Sequence, residues 1–444
     1  MNSKPYEKTQ RMICVAGLAL LAAVFALWAA KKTPSAAELC AALLCLCLYA
    51  LLCLRFVGAW FRLWFSPLQE RPEGEKGIAL PALFFIGLAC AGVYVAAAEL
   101  VLHYVNPNIT PDKALNFWQS ADAYHYICIA RDWYLSEGSV DRVVQLVFLP
   151  MYPIAVRAMN CLVGNYVVSG MLVSALSFAG ALCVLYKLAL MDLGRAAARR
   201  TAVFLCIVPG AFFFAAPMSE SLFILLCALC MYSARRGRWL AAGVFGALAA
   251  FTRSLGLILA VPLLLEAVGG IIRGERRAWR GVAACLTVPL GFAAYCYVNY
   301  TVSGDPFKFM EYQHEHWHQG LGLFFETAAY QTRYAISAAK NVDGNLFGLW
   351  LPNLAAVFSV PAVLLLAAPK LRASYTAWAI AYYTVAVGAT WLLSAPRYMA
   401  ALLPLHLALA VITEDKRLRI PLYALCAVFG GLYLVAFVLR LGVW

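Results

Sequence analysis

The sequence predicts an all-α polytopic membrane protein, a helix bundle of about thirteen spans with short interfacial helices in its outer loops. Two features of composition predict it: 64% of the 444 residues are hydrophobic, and only 13% are charged. The third is periodic. Apolar segments recur at residues 12–30, 36–54, 78–104, 166–191, 200–217, 219–233, 239–252, 254–272, 281–303, 346–368, 374–394, 399–412 and 420–440.

The first of these, Met12 to Ala30, is longer than the apolar part of a secretory signal and lacks a cleavage site, so it is read as a retained span. Segment 399–412 is short and predicts an oblique helix or one paired with its neighbour across a tight turn. Fifteen cysteines fall almost entirely inside apolar segments, where they act as small buried hydrophobes. Cys227 and Cys230 have CxxC spacing but no second ligand pair, so neither zinc nor redox chemistry is assigned to them.

The formal charge of +13 follows topology and does not point to nucleic acid. Five basic clusters stand between spans: Arg195, Arg199 and Arg200; Arg235, Arg236 and Arg238; Arg273, Arg276, Arg277 and Arg280; Lys370 and Arg372; Lys416, Arg417 and Arg419. All five fall on one side, which is therefore cytoplasmic. The opposite side carries loops 105–165 and 304–345 and tight connections at 217–221, 253 and 395–398. Asp122, His125, Glu220, Arg253, Asp305, Arg333 and Arg397 consequently share one membrane face. Ionisable groups near a bilayer are costly and suggest a site, although a helix-end charge can also snorkel to the headgroups.

Within the first outer loop, Thr110 or Asp112 caps a short helix. The stretch SADAYHYICIARDWY (120–134) then predicts an interfacial helix, with Ile127, Ala130, Trp133 and Tyr134 on its apolar side and Asp122 and His125 one turn apart. Two prolines in VFLPMYPIAVRAMN (147–160) predict a broken or re-entrant helix shaping a pocket. In the second outer loop, His314, His316 and His318 would share a face only if extended, and no acid or cysteine stands at ligand spacing, so no metal site is assigned. Neither a phosphate-binding P-loop nor a dinucleotide fingerprint occurs, which disfavours a nucleotide-sugar donor.

Six blocks carry a resemblance: DAYHYICIA (122–130), FLPMYPIAVR (148–157), PGAFFFAAPMSESLF (209–223), FTRSLGLILAVPLLLE (251–266), GDPFKFMEYQHEHW (304–317) and SAPRYMAALLPL (394–405). In this order they resemble the membrane mannosyltransferases that include the second mannosyltransferase of GPI-anchor assembly (PIG-V) and its bacterial relatives, a branch of the GT-C glycosyltransferases. The resemblance divides the chain into two N-terminal spans, 1–77, outside it and a GT-C-like catalytic domain, 78–444. Two departures stand out: Ala121 occupies a position that is typically aromatic, and two spans precede the third where relatives commonly have one.

The resemblance implies an inverting transfer of a mannosyl or other hexosyl residue from a polyprenyl-phosphate donor to a lipid-linked or cell-envelope glycan. Such a reaction needs a base for the acceptor hydroxyl and cations for the leaving phosphate, with no general acid, whereas an ordinary glycosidase uses a carboxyl pair. Asp122 is the expected base, and Arg253 and Arg397 the expected phosphate ligands, because arginine offers a fixed fork of donors. His125, Tyr126, Glu220, Asp305, Gln313 and Trp317 are further substrate-binding candidates; for Asp305, between Gly304 and Pro306, turn chemistry is the plainer reading. A monophosphate donor implies no cofactor and does not require a divalent cation. The expected location is a bacterial plasma membrane with an outward-facing site, or the ER membrane with a lumenal one. A transporter or flippase, or a non-catalytic subunit of a glycan-assembly complex, is the competing class, and the fate of Asp122 discriminates.

Overall fold

A computed structural model describes residues 4–65 and 77–443. Part of the expected N-terminal unit, residues 66–76, lies outside the described residues. The chain opens with α1 (Lys4–Lys32), α2 (Ala36–Phe65) and α3 (Leu80–Val105). The first outer segment follows as α4 (Pro111–Phe117), α5 (Asp122–Asp132), α6 (Val140–Val143) and α7 (Met151–Val163). A run of membrane helices comes next: α8 (Tyr166–Leu193), α9 (Arg195–Ile207), α10 (Glu220–Arg235), α11 (Trp239–Thr252), α12 (Ala260–Ile272) and α13 (Arg280–Ser303). The second outer segment supplies α14 (Lys308–Trp317) and α15 (Phe324–Asn341). The chain then runs through α16 (Leu351–Ala367), α17 (Ala373–Val387), α18 (Ala395–Ala400), α19 (Leu403–Ile412) and α20 (Lys416–Val438). Among the described residues there is no β-strand, only one isolated bridge between Leu321 and Ala389.

All thirteen apolar segments are wholly or partly helical, but among the described residues eight helices are long and apolar enough to cross a membrane, or nine if the bent pair Val140–Val147 and Met151–Val163 is one span. The five others are α9, α10, α11, α17 and α19, of 13, 16, 14, 15 and 10 residues. At about 1.5 Å per residue, such helices rise about 15–24 Å and fall short of a hydrocarbon core of about 30 Å. They are tolerated because bundle neighbours, not lipid, surround much of their surface, and because irregular turns continue some of them. One such turn, the 3-10 segment Ala211–Phe214, follows α9 and has all four residues buried.

Small residues set the packing. Gly291 of α13 lies so close to the Ala247 carbonyl of α11 that no side chain fits between the helices, and a Cβ on Gly87 of α3 would meet Ala179 of α8. Helix α1 reaches the bundle through Phe25 and Trp28, whose rings stand 5.3 and 5.4 Å from Phe325 of α15.

The segment with two prolines is broken as expected. Val140–Val147 and Met151–Val163 meet at 111°, with Pro150 at the cap of α7 and Pro153 in its first turn, where a missing N–H costs little. Thr110, not Asp112, occupies the cap position of α4, with Pro111 after it.

Candidate active site

Asp122 is the first residue of α5, where the unpaired amides of a helix start favour an anion. The turn delivering it is strained: Ala121 has φ 51° and ψ −138°, a conformation that side chains disfavour. Trp133, which closes the same helix, has φ 67°. Between these ends α5 is anchored in the protein by buried Ala123, Tyr126, Ile127, Cys128, Ile129 and Ala130.

Four charged residues from four parts of the chain converge here. Arg397 of α18 places Nη2 2.6 Å from Asp122 Oδ2 and Nε 2.5 Å from Glu220 Oε1. Arg253, in the break between α11 and the following 3-10 turn, donates to the same Glu220 oxygen and, at 3.0 Å, to Ser219 Oγ. Tyr126 and Ser219 are joined by a 2.9 Å hydroxyl contact, which ties α5 to the start of α10. Each guanidinium also lies over an aromatic ring: Arg253 5.4 Å from Tyr398, and Arg397 5.3 Å from Phe213. Gly210 allows α18 to approach, since its φ of +88° suits glycine and a Cβ there would stand 3.0 Å from the Pro396 oxygen.

Burial differs sharply within the cluster. Glu220 has no exposed side-chain surface and Arg397 only 2%, whereas Asp122 keeps 30% open. Burial works against the charge on Asp122, but Arg397, with help from His125 and Arg253, outweighs it and holds the carboxyl below the ordinary carboxylate range. His125 stacks on Phe148 with centroids 4.6 Å apart, and its buried Nδ1 has no partner. That burial lowers the imidazole's pKa against the opposing pull of Asp122 and Asp141. Phe148 in turn meets Trp317 edge-on at 6.1 Å, which forms an aromatic wall beside the acid.

The structure therefore brings together Asp122, His125, Tyr126, Glu220, Arg253 and Arg397, with Trp317 at the border. Asp305 stays apart: it is exposed, and its carboxylate accepts from the Phe307 amide at 2.8 Å in a local turn. Gln313 donates to Gln319 Oε1, and Gln319 to the Trp391 carbonyl, so its contacts hold the second outer loop to the turn before α18. Arg333 is 60% exposed and faces Glu38 at 3.6 Å, outside the cluster. Among the described residues no three His, Cys, Asp or Glu side chains are grouped to hold a metal ion.

Sequence reasoning missed Ser219, Tyr398, Phe148 and Gln145. Tyr398 adjoins Arg397, and Ser219 adjoins Glu220, so adjacency was the available signal. Gln145 is fully buried with both side-chain amide atoms unpaired, and nothing in its sequence context marks it.

A second charge network occupies the other end of α10. Arg235 donates to Asp192 at 2.7 and 3.0 Å, Tyr375 to Asp192 at 2.5 Å, and Arg372 to both oxygens of Glu266 at 3.0 and 2.9 Å.

Residues 104–272 match a family model described as mannosyltransferase (PIG-V). Over that region the chain is PIG-V-like. The matched region contains Asp122, Glu220 and Arg253 and stops before Arg397. GPI alpha-1,6-mannosyltransferase 2 of Rattus norvegicus is 32% identical over 203 residues, which is 40% of this chain and 40% of the rat protein. A crystal structure of ArnT from Cupriavidus metallidurans bound to undecaprenyl phosphate aligns over 79% of this chain and 75% of its own, with a TM-score of 0.45 and 15% identity.

Proposed function

We propose that this PIG-V-like membrane protein is an inverting glycosyltransferase that moves a mannosyl or other hexosyl residue from a polyprenyl-phosphate donor to a lipid-linked or cell-envelope glycan. The reaction takes place at the extracytoplasmic face. Asp122 is the base that removes the acceptor proton, and the acceptor oxygen displaces the phosphate at the anomeric carbon. Arg397 and Arg253 receive the leaving phosphate, whose developing charge they meet with fixed donors. His125, Phe148 and Trp317 form the wall against which the sugar ring packs. A polyprenyl-linked donor reaches such a site from within the bilayer.

The observation that carries this reading is the convergence of one partly open carboxylate with one buried arginine, Arg397, and one mostly buried one, Arg253, at one end of the bundle. The basic clusters support the orientation, since Arg235 and Arg372 lie at the opposite end of α10 from Glu220. Mannose is supported by the family match and the rat relative alone.

Asp122→Asn tests the reading. In nanodiscs, transfer from polyprenyl-phosphate-mannose and polyprenyl-phosphate-glucose is expected to fall about 10²–10⁴-fold with donor binding retained, the usual contribution of a general base. Turnover at the wild-type rate would remove Asp122 from that role, and a wild-type protein inert toward both donors would move a transporter or scaffold ahead.

A further inference from the structure

As the cluster stands, its base is occupied. Asp122 Oδ2 lies 2.6 Å from Arg397 Nη2, so the carboxylate faces a guanidinium where an acceptor hydroxyl would need it. A carboxylate held in that way is a weak base. Arg397 is also held from behind, through Nε, by Glu220. The two contacts are unequal: Glu220 is sealed, and its second oxygen has no hydrogen-bond partner, whereas Asp122 is 30% open. An incoming anion therefore meets Asp122 before it can reach Glu220. Two acids against two arginines also make the four-residue cluster neutral. A phosphodiester, which brings one negative charge, competes for Arg397 with the more open carboxylate, Asp122, whose contact to Nη2 is a close ion pair and not a well-aligned hydrogen bond.

We propose that Glu220 is a positioning residue that holds Arg397 by Nε while Nη2 changes partner, from Asp122 in the free protein to the donor phosphate, so that Asp122 is freed as a base only once the donor is bound. This rests on the glycosyltransferase reading and deepens it. In the loaded state the acceptor O–H gives its proton to Asp122 as its oxygen bonds to the anomeric carbon. The bond from that carbon to the phosphate oxygen breaks, with its electron pair leaving on the phosphate. When the polyprenyl phosphate departs, the proton leaves Asp122 for the phosphate or for water, and Arg397 pairs with Asp122 again. Binding is consequently ordered, donor before acceptor. The groups facing Asp122 are His125 on its own helix, Arg397 and Tyr398 on α18, Arg253 beyond α11, and Glu220 on α10. His125, which also faces Asp141, takes up protons in the acid range too, so the Asp122 share is read as the difference between wild type and Asp122→Asn.

The test uses a polyprenyl methyl phosphodiester, which has one negative charge, no sugar to transfer and no group that titrates near neutral pH. Its binding to nanodisc-embedded protein is followed by calorimetry in buffers of different protonation enthalpy between pH 4 and 7. Losing a paired arginine raises a carboxylate pKa by about 1–3 units, so wild type takes up a fraction of a proton that grows toward the acid end. Asp122→Asn takes up only what His125 contributes and binds several-fold more tightly, because the competitor for Nη2 is gone. Glu220→Gln binds about tenfold more weakly and takes up less, since a charge-assisted contact to Nε is lost; Glu220→Asp recovers part of both. Wild-type binding without proton uptake, or uptake in Asp122→Asn as large as in wild type, overturns the exchange, and so does failure of wild type to bind the diester. Normal binding and uptake in a protein that transfers no sugar would instead sink the glycosyltransferase reading and leave the exchange standing.

Discussion

Replacing Arg397 by lysine separates the geometry of the fork from its charge. The guanidinium uses two different nitrogens at once, Nε on Glu220 at 2.5 Å and Nη2 on Asp122 at 2.6 Å. A lysine ammonium is a single point and cannot hold both positions. One charge-assisted hydrogen bond is therefore lost, about 1.5–3 kcal/mol. With each ~1.4 kcal/mol worth tenfold, kcat/KM for the donor should fall about tenfold to a hundredfold. Arg397→Lys keeps the site's net charge, so its stability should fall by no more than that one bond, about 1.5–3 kcal/mol. Arg397→Leu, which leaves Glu220 with Arg253 alone and Asp122 without its closest cation, should be destabilised by about 3–5 kcal/mol, the usual cost of breaking a buried pair. Initial rates of transfer in nanodiscs, read beside thermal unfolding of the same preparations, check both. A lysine variant that folds normally and transfers at the wild-type kcat/KM would show that the fork does not bind phosphate.

Three further outcomes are expected. Gly210→Ala puts a side chain on a residue at φ +88° and drives it against Pro396 and Arg397, so unfolding should come a few degrees earlier and kcat fall several-fold; the strain alone is about 1 kcal/mol. Glu266→Gln strips the inner network of the carboxylate that Arg372 grips, and should cost about 3–5 kcal/mol in denaturation while donor KM stays put; a shifted KM would mean that the two networks are coupled. Because the Asp122 carboxyl is held below its unfolded value, its stabilisation is complete above the unfolded pKa of about 3.9 and lost as pH falls through the folded one. Melting curves of wild type and Asp122→Asn should accordingly stay separated from neutral pH down to about pH 4 and converge only below it.

Hydropathy reads one coordinate of a membrane protein well, the depth of each residue along the bilayer normal. That is why Asp122, Glu220, Arg253 and Arg397 could be gathered from sequence onto one face, each standing at the outer end of an apolar run. The lateral coordinate is not written in hydropathy. Asp305 and Arg333 read onto the same face as the cluster and lie outside it, one closing its own turn and the other facing Glu38. Pairing is equally invisible. Glu220 read as a ligand for substrate hydroxyls, yet it is sealed beneath two arginines, because α10, the 253 break and α18 meet at its carboxylate. The short helices were over-read as full spans for a related reason: α11 and α19 are apolar but too short to cross, and α9, α10 and α17 carry the apolar pattern only in part, so hydropathy alone does not show where each helix breaks.

If a carboxylate leaves Arg397, the way each partner is held decides which one. Glu220 begins α10, whose far end is clamped where Arg235 grips Asp192, and Asp192 also accepts from Tyr375 of α17. Sixteen helical residues fixed at both ends, with Cys227, Cys230 and Met231 fully buried between them, leave Glu220 little freedom to move. Asp122 begins α5, whose two terminal linkages, Ala121 and Trp133, both sit at positive φ and store about 1–3 kcal/mol each that a small rotation could release. The arginine between them is over-determined on one side and under strain on the other. A donor phosphate thus works against the weaker hold, and the residue it displaces is the one whose freedom the chemistry requires.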